Sequence, residues 1–367
     1  MPDLRVGGAE RHVATLLPRM DPTRFEPSTI CIGDEGALFP TLTEAGVDAK
    51  ALHCTKRQAV RALWILVREM RRARTDVVVV RGYSAETLGR LAARIAGVRH
   101  TIMWVHNAGD TAPRGRVRIL TDRVLTRWTG AYFGVANAQL PYLIDDLGYP
   151  AEKVRVIHNG VDPAKFTTAT DRSVLSEFGF GVGDPVAAIL AALRLEKDHA
   201  TLLRSARQVI DEIPNAKFLI IGDGPTRPEL ERLSTALGVA ANVCFAGVRE
   251  DVSRLLCAID VFVLSSSTVE CFPMALLEAM ACARPAVCTA VGGVSEMLED
   301  GRTGYLVPAQ DPHLLAERLS AVLSDPVSAR RMGRAGRERV ESEFSLDRSV
   351  AEAERAIEEL VAGLSVG

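Results

Sequence analysis

The sequence has no apolar run that could span a bilayer. Its longest, such as Val186 to Leu193, falls far short of the roughly 20 residues a transmembrane helix needs. No opening stretch has the layout of a secretory leader, so the chain is expected in the cytoplasm. There is no Cys-x2-Cys pair among seven scattered cysteines, Cys282 and Cys288 included, which argues against a zinc site or a disulfide framework. These residues read as reduced thiols serving as small core side chains. The Gly-x-Gly-x-x-Gly spacing of a dinucleotide site is missing too. The strand Phe218 to Ile221 runs instead into Gly222-Asp223-Gly224-Pro225, which weighs against a dehydrogenase.

Net charge is also slight, at −2, but unevenly spread. Residues 1–150 hold 21 Lys+Arg against 15 Asp+Glu, and the remainder 23 against 31. A basic first half and an acidic second half suggest that the first half meets anions. Between Lys56 and Arg74 lie seven cations (Lys56, Arg57, Arg61, Arg68, Arg71, Arg72, Arg74) against Glu69 alone, with Leu63 and Trp64 interleaved. Arg114, Arg116, Arg118, Arg123 and Arg127 make a second basic run. Either run is a solvated face or a dock for anionic lipid or an anionic acceptor.

What is present is a repeated alternation of short β-branched runs and helical segments. Strand signals at residues 27–32, 49–52, 77–80 and 101–105 alternate with helical ones at 38–45, 59–74 and 83–96, and the pattern restarts at Val186. Such alternation predicts parallel, doubly wound sheets, and 367 residues suffice for two domains with full cores. Ligands of such sheets bind beyond the strands' carboxyl ends. His106 follows a strand ending at Val105, and Gly222, Val248 and Arg249 also fall at strand ends. Gly7 and Gly8 precede a helix predicted through about Met20, and let backbone approach a ligand.

The most informative stretch is Glu270-Cys271-Phe272-Pro273-Met274-Ala275-Leu276-Leu277-Glu278, which follows the apolar strand Asp260 to Leu264 and three serines. Pro273 reads as the first helical residue. The free amides from Met274 and Ala275 onward favour a phosphate beyond the strand end. Glu278 lies five residues into the helix, roughly 7.5 Å along its axis, about the span from a diphosphate to the ribose of its nucleoside.

The Glu-x7-Glu pattern resembles the signature of the family 4 glycosyltransferases, retaining enzymes of the GT-B fold that use nucleotide-sugar donors. The resemblance extends from residue 5 to about 345. It includes Gly7-Gly8-Ala9-Glu10 (similar to GGxE), Ile157-His158-Asn159-Gly160-Val161-Asp162 (similar to I-x-N-G-V-D) and the Arg194/Lys197 pair. Cys271 departs from the family's usual glycine, and the gap from Arg194 to Lys197 is shorter than in many members. The family's apolar first strand is not apparent, because Met1 and Pro2 open almost directly onto the glycine loop.

The resemblance implies two Rossmann-like domains facing across a cleft, residues 1–162 and 163–345. A last helix, 346–367, would cross back to the first domain. It implies that Arg194 and Lys197 grip the donor's diphosphate, that Glu270 and His106 face the sugar, and that Glu278 takes the ribose. Phe272, Met274, Ala275, Gly7, Gly8, Gly222, Val248 and Arg249 would complete the donor site. No metal is expected, the sequence holding no Asp-x-Asp motif, and no cofactor beyond a UDP- or GDP-sugar substrate. The expected acceptor is a lipid-linked, polysaccharide or small-molecule hydroxyl, with docking on the inner face of the cell membrane and no nucleic-acid partner. A GT-B sugar-nucleotide epimerase and a catalytically impaired nucleotide-sugar-binding protein are the alternatives.

Overall fold

The computed structural model describes residues 1–5, 7–107, 109, 115–169 and 171–363. Arg114, from the second basic run, and Val6, from the glycine loop, lie outside them. The chain divides into two compact units: Met1–Gly160 with the segment that begins at Leu346, and Val161–Ser345.

In the first unit Ser28–Cys31 (β1) pairs in parallel with Asp48–Ala51 (β2). Val77–Val80 (β3), His100–Trp104 (β4), Ala131–Gly134 (β5) and Val154–Val156 (β6) form a separate parallel sheet in that order. One doubly wound sheet was the expectation; the described strands instead form two sheets. Met1 and Pro2 run alongside β1: the Met1 amino group donates to the Ile30 carbonyl (2.8 Å), and the Met1 and Pro2 carbonyls accept from the amides of Ile32 (2.9 Å) and Gly33 (2.8 Å). The four-stranded sheet is buried by the helices Ala59–Arg72 and Tyr83–Ala96 through Leu66, Met70, Val80, Ala92 and Met103. Tyr132 and Tyr149 stack beneath it with ring centroids 3.9 Å apart. Each such apolar side chain removed from water contributes about 1.5–3 kcal/mol. The helix Leu346–Val361 packs within this unit: Ser349 donates to the His158 carbonyl (2.7 Å), and Arg24 Nε to Glu358 (2.9 Å).

The second unit holds Val186–Leu190 (β7), Lys217–Ile221 (β8), Val243–Gly247 (β9), Val261–Leu264 (β10), Ala286–Thr289 (β11) and Gly304–Val307 (β12). All are parallel, in the order β12-β11-β10-β7-β8-β9. Renumbered within the unit this is 6-5-4-1-2-3, the dinucleotide-fold order, whose reversal point lies between β7 and β10. Its strands read as continuous apolar runs because helices cover both faces. Ile189, Phe218, Ile220 and Val263 meet Leu203 and Val209 of the helix His199–Glu212 and Leu315 and Leu319 of Pro312–Ser324. All seven cysteines are free thiols and six are buried. No described helix is long and apolar enough to cross a membrane.

Two boundaries differ from the sequence expectation. The first helix is Gly8–Leu16, giving way at Pro18 to a 3-10 turn over Leu17–Arg19, since proline supplies no amide to continue the ladder. Pro273 is the N-cap, with ψ near 118°, and the helix proper is Met274–Ala281. That leaves the amides of Met274 and Ala275 in the open first turn, where no helical carbonyl reaches them.

Candidate active site

The reversal point of the second sheet brings two loops together. After β7 the chain passes Arg194 and makes a 3-10 turn over Leu195–Lys197. Asp198 then turns it into the next helix in a left-handed conformation (φ 44°), its carboxylate capping the Thr201 amide at 3.1 Å. After β10 come Ser265, Ser266 and Ser267, which tie the loops to each other. Ser265 Oγ donates to the Lys197 carbonyl (3.0 Å), and the Ser267 amide to the Glu196 carbonyl (2.9 Å). Ser266 Oγ donates to Glu270 Oε1 at 2.5 Å, and Thr289 from β11 fixes the Ser266 carbonyl at 2.6 Å.

Lys197 Nζ donates to the same Glu270 Oε1 at 2.5 Å. Glu270 is 5% exposed, whereas the lysine side chain keeps 23% of its surface, so the ammonium has one end on the carboxylate and the other toward solvent. Two of the predicted residues are therefore in direct contact. Arg194 stands one turn earlier on the same loop, exposed, its guanidinium making no hydrogen bond or ion pair among the described residues. Glu278 is buried in the helix that follows Pro273, half-buried Ala275 lies in that helix's first turn, and Met274 is buried there. Burial and the neighbouring Glu270 charge push the Cys271 thiol up to about 12, so it stays protonated.

Close backbone approach shapes this edge. At Gly222 (φ 133°) a Cβ would sit 2.1 Å from the Ala191 carbonyl oxygen, and at Gly292 (φ 55°) only 1.8 Å from the Glu270 carbonyl oxygen. The Gly222 turn therefore presses on the loop that carries Arg194, and the Gly292 turn backs Glu270. Other predicted residues take different places. The Phe272 ring is in the core, edge-on to Phe344 (5.2 Å), so any ligand contact from it would be through its main chain. Val248 is exposed after β9. Arg249 is engaged by Asp251 (2.8 Å) and Glu177 (3.0 Å), and so is not a spare cation.

In the first unit Gly7 is the N-cap and Gly8 the first residue of the helix that carries His12. His106, half-buried just beyond β4, belongs to a cluster that sequence reasoning missed. Arg81 follows β3 and is 5% exposed. Its Nη1 lies 2.9 Å from His12 Nδ1 and 3.1 Å from His106 Nε2, and its guanidinium lies 3.9 Å from the centre of the Trp104 ring. Burial first, and then the Arg81 charge, hold both imidazoles well below the usual histidine range. Burial lowers Arg81 itself to about 9. An arginine directly after four valines, at a sheet's ligand edge, is the signal that could have drawn attention to it.

The fold and this edge geometry define a two-unit GT-B protein. In the solved structure of Anabaena Alr3699/HepE in complex with UDP-glucose the same architecture recurs with a TM-score of 0.86, over 97% of both chains at 20% identity. The model "Glycosyltransferase Family 4" matches residues 6–165 and "Glycosyl transferases group 1" residues 175–339. Alpha-maltose-1-phosphate synthase of Mycolicibacterium smegmatis is 35% identical over 70% of this chain and 72% of its own. N-acetyl-alpha-D-glucosaminyl L-malate synthase of Bacillus anthracis is 29% identical over 57% of this chain, which spans only 54% of that relative's length. The chain belongs to the family 4, group 1 glycosyltransferases.

Proposed function

We propose that the protein is a retaining, metal-independent glycosyltransferase that moves a hexosyl unit from a nucleotide-diphosphate sugar to a hydroxyl acceptor. The observation that carries this is the Lys197–Glu270 contact at the sheet's reversal point, beside Arg194 and the open helix start at Met274. Breaking the bond between the sugar's anomeric carbon and the phosphate oxygen puts negative charge on that phosphate. Preorganised cations and amides stabilise it as it develops. The acceptor oxygen attacks from the same face, and the departing phosphate takes its proton. Glu270 faces the sugar's hydroxyls, and Glu278 the ribose. A UDP-glucose complex of a fold relative, and relatives named as a GDP-mannose-dependent mannosyltransferase and a UDP-Gal galactosyltransferase, support a nucleotide-sugar donor.

A thermal-shift screen against UDP-, GDP- and ADP-sugars tests this directly. The cognate donor at 100 times its dissociation constant adds about 2.7 kcal/mol of stability. Nucleoside diphosphate release should then rise when an acceptor is added, with the product keeping the donor's anomeric configuration by proton NMR. No response to any nucleotide sugar overturns the reading, and turnover that needs no acceptor points to the epimerase.

The first unit is further proposed to dock on anionic lipid. On the helix Ala59–Arg72 and the turn before it, Arg57, Val60, Arg61, Trp64 and Arg68 are all exposed at helical spacing. They form one stripe of cations around Val60 (70% exposed) and Trp64 (58% exposed). Exposed Arg116, Leu120, Arg123 and Arg127 repeat the pattern on the helix Arg116–Thr126 and its end. Basic residues near an anionic surface contribute about 1 kcal/mol each. The protein is expected to pellet with vesicles rich in phosphatidylglycerol at low salt, and a Trp64→Ala/Arg61→Ala/Arg68→Ala variant to stay in the supernatant. Equal pelleting of the two, or none by the parent, refutes docking through this stripe.

A further inference from the structure

We propose that Arg81 is a positioning residue that fixes the imidazole of His106 as a single neutral tautomer, with its proton on Nδ1, and so presents an N–H donor to the transferred sugar. The last step rests on the reading that His106 faces the donor.

A guanidinium has only donors. At 3.1 Å from Arg81 Nη1, the Nε2 of His106 must therefore offer its lone pair, and the ring's one proton is left on Nδ1. That nitrogen makes no hydrogen bond among the described residues and is not one of the atoms sealed in the interior without a partner. His12 is the contrast. It gives its Nδ1 lone pair to the same Nη1, at 2.9 Å, while its Nε2 is sealed without a partner, so His12 is a buttress for the arginine. Trp104 supports the guanidinium from its face at 3.9 Å. Two side chains from two elements, His12 and Trp104, thus hold one cation, and the cation fixes the ring of His106.

Charge makes the arrangement informative. No carboxylate hydrogen-bonds to Arg81 among the described residues; Glu10 acts on it only through space. A buried charge without a bonded counter-ion is costly, and an apolar side chain would fill the position more cheaply. Two lone pairs and an aromatic face offset part of the cost. What the charge contributes in return is control of His106: a second proton on that ring would place two cations 3.1 Å apart. Among the described residues the groups facing His106 are Arg81, at 3.1 Å, and His12, with ring centroids 5.3 Å apart, and Glu10 acts on Arg81 behind them, so the ring stays a neutral donor as the pH falls.

The test uses the full chain with nitrogen-15 in its seven histidines. Long-range proton–nitrogen correlation spectra distinguish the two tautomers, and His106→Asn assigns the signal. The parent protein is expected to show His106 with the proton on Nδ1 and no titration between pH 8 and 5.5. Arg81→Met removes the donor at similar volume. It should release the ring to the other tautomer, let it titrate, and lower kcat about 10- to 100-fold with the donor KM nearly unchanged. Arg81→Lys, which retains a donor and the charge, should restore part of both. A parent spectrum with the proton on Nε2, or an Arg81→Met spectrum unchanged from the parent, overturns the positioning role, and the parent measurement stands even where the methionine variant does not fold. A tautomer that switches while transfer is unaffected leaves the positioning intact and refutes His106 as a group that meets the sugar.

Discussion

Lys197→Ala should cut transfer by about 10²- to 10³-fold, the loss expected when one preorganised group is removed from a developing oxyanion. Glu270→Ala should do at least as much. The variants differ in what they leave behind. Removing the lysine strands a carboxylate that is 5% exposed with, among the described residues, only the Ser266 hydroxyl, 2.5 Å away, as its bonded partner. Breaking a buried pair from one side costs about 3–5 kcal/mol, a figure to be reduced here because the lysine side chain is 23% exposed. Removing the glutamate leaves an ammonium that can turn to water. Lys197→Ala is therefore expected to melt at lower temperature than Glu270→Ala, with both folded by circular dichroism at 25 °C. Initial rates of nucleotide release, measured beside a melting curve, separate the chemical loss from the structural one. Full activity in either variant refutes the assignment.

Gly292→Ala should be the most damaging substitution that touches no charged group. Its backbone is left-handed (φ 55°), a conformation that costs a residue with a Cβ about 1–2 kcal/mol. The added carbon would stand 1.8 Å from the carbonyl oxygen of Glu270, which is backbone and cannot rotate aside. Either the turn or the glutamate loop must move by more than 1 Å, and a displacement of that size can cost about 10²-fold in rate. Gly301→Ala is the control: its φ of 72° is equally left-handed, but a Cβ there meets nothing within 4 Å. The control should show the backbone cost as a lower melting temperature with an unchanged rate, while Gly292→Ala shows both losses. Equal rates in the two variants would show that the Gly292 contact does not hold Glu270 in place.

Local pattern carried most of the fold. Val77–Val80, Tyr83–Ala96 and Val186–Leu190 have the same bounds in sequence and structure, because β-branched runs and glycine or proline boundaries specify such elements without distant help. Relations between segments were less legible. That Lys197 meets Glu270, 73 residues on, is invisible to spacing, and so is the capture of Arg249 by Asp251 and Glu177. Phe272 sits inside the Glu-x7-Glu motif, yet its ring turns to Phe344 because an aromatic side chain gains more in the core than at a wet edge. Arg81 was missed for a related reason. Its meaning depends on His12, 69 residues before it, and His106, 25 residues after it. The division of the first unit's described strands between two sheets was not legible in the alternating pattern, which specifies elements and not their partners.

The two loops that meet at the reversal point belong to neighbouring strands that are far apart in sequence. β10 lies between β7 and β11, so its loop reaches Lys197 only when that central strand is seated in register with β7. A slip of one residue would turn the strand's side chains to the opposite face and carry the serines away from their partners. Chemistry and topology thus share a single checkpoint: a chain that has mispaired its middle strand does not bring Lys197 to Glu270, so on the proposed reading partly assembled molecules stay silent rather than act wrongly.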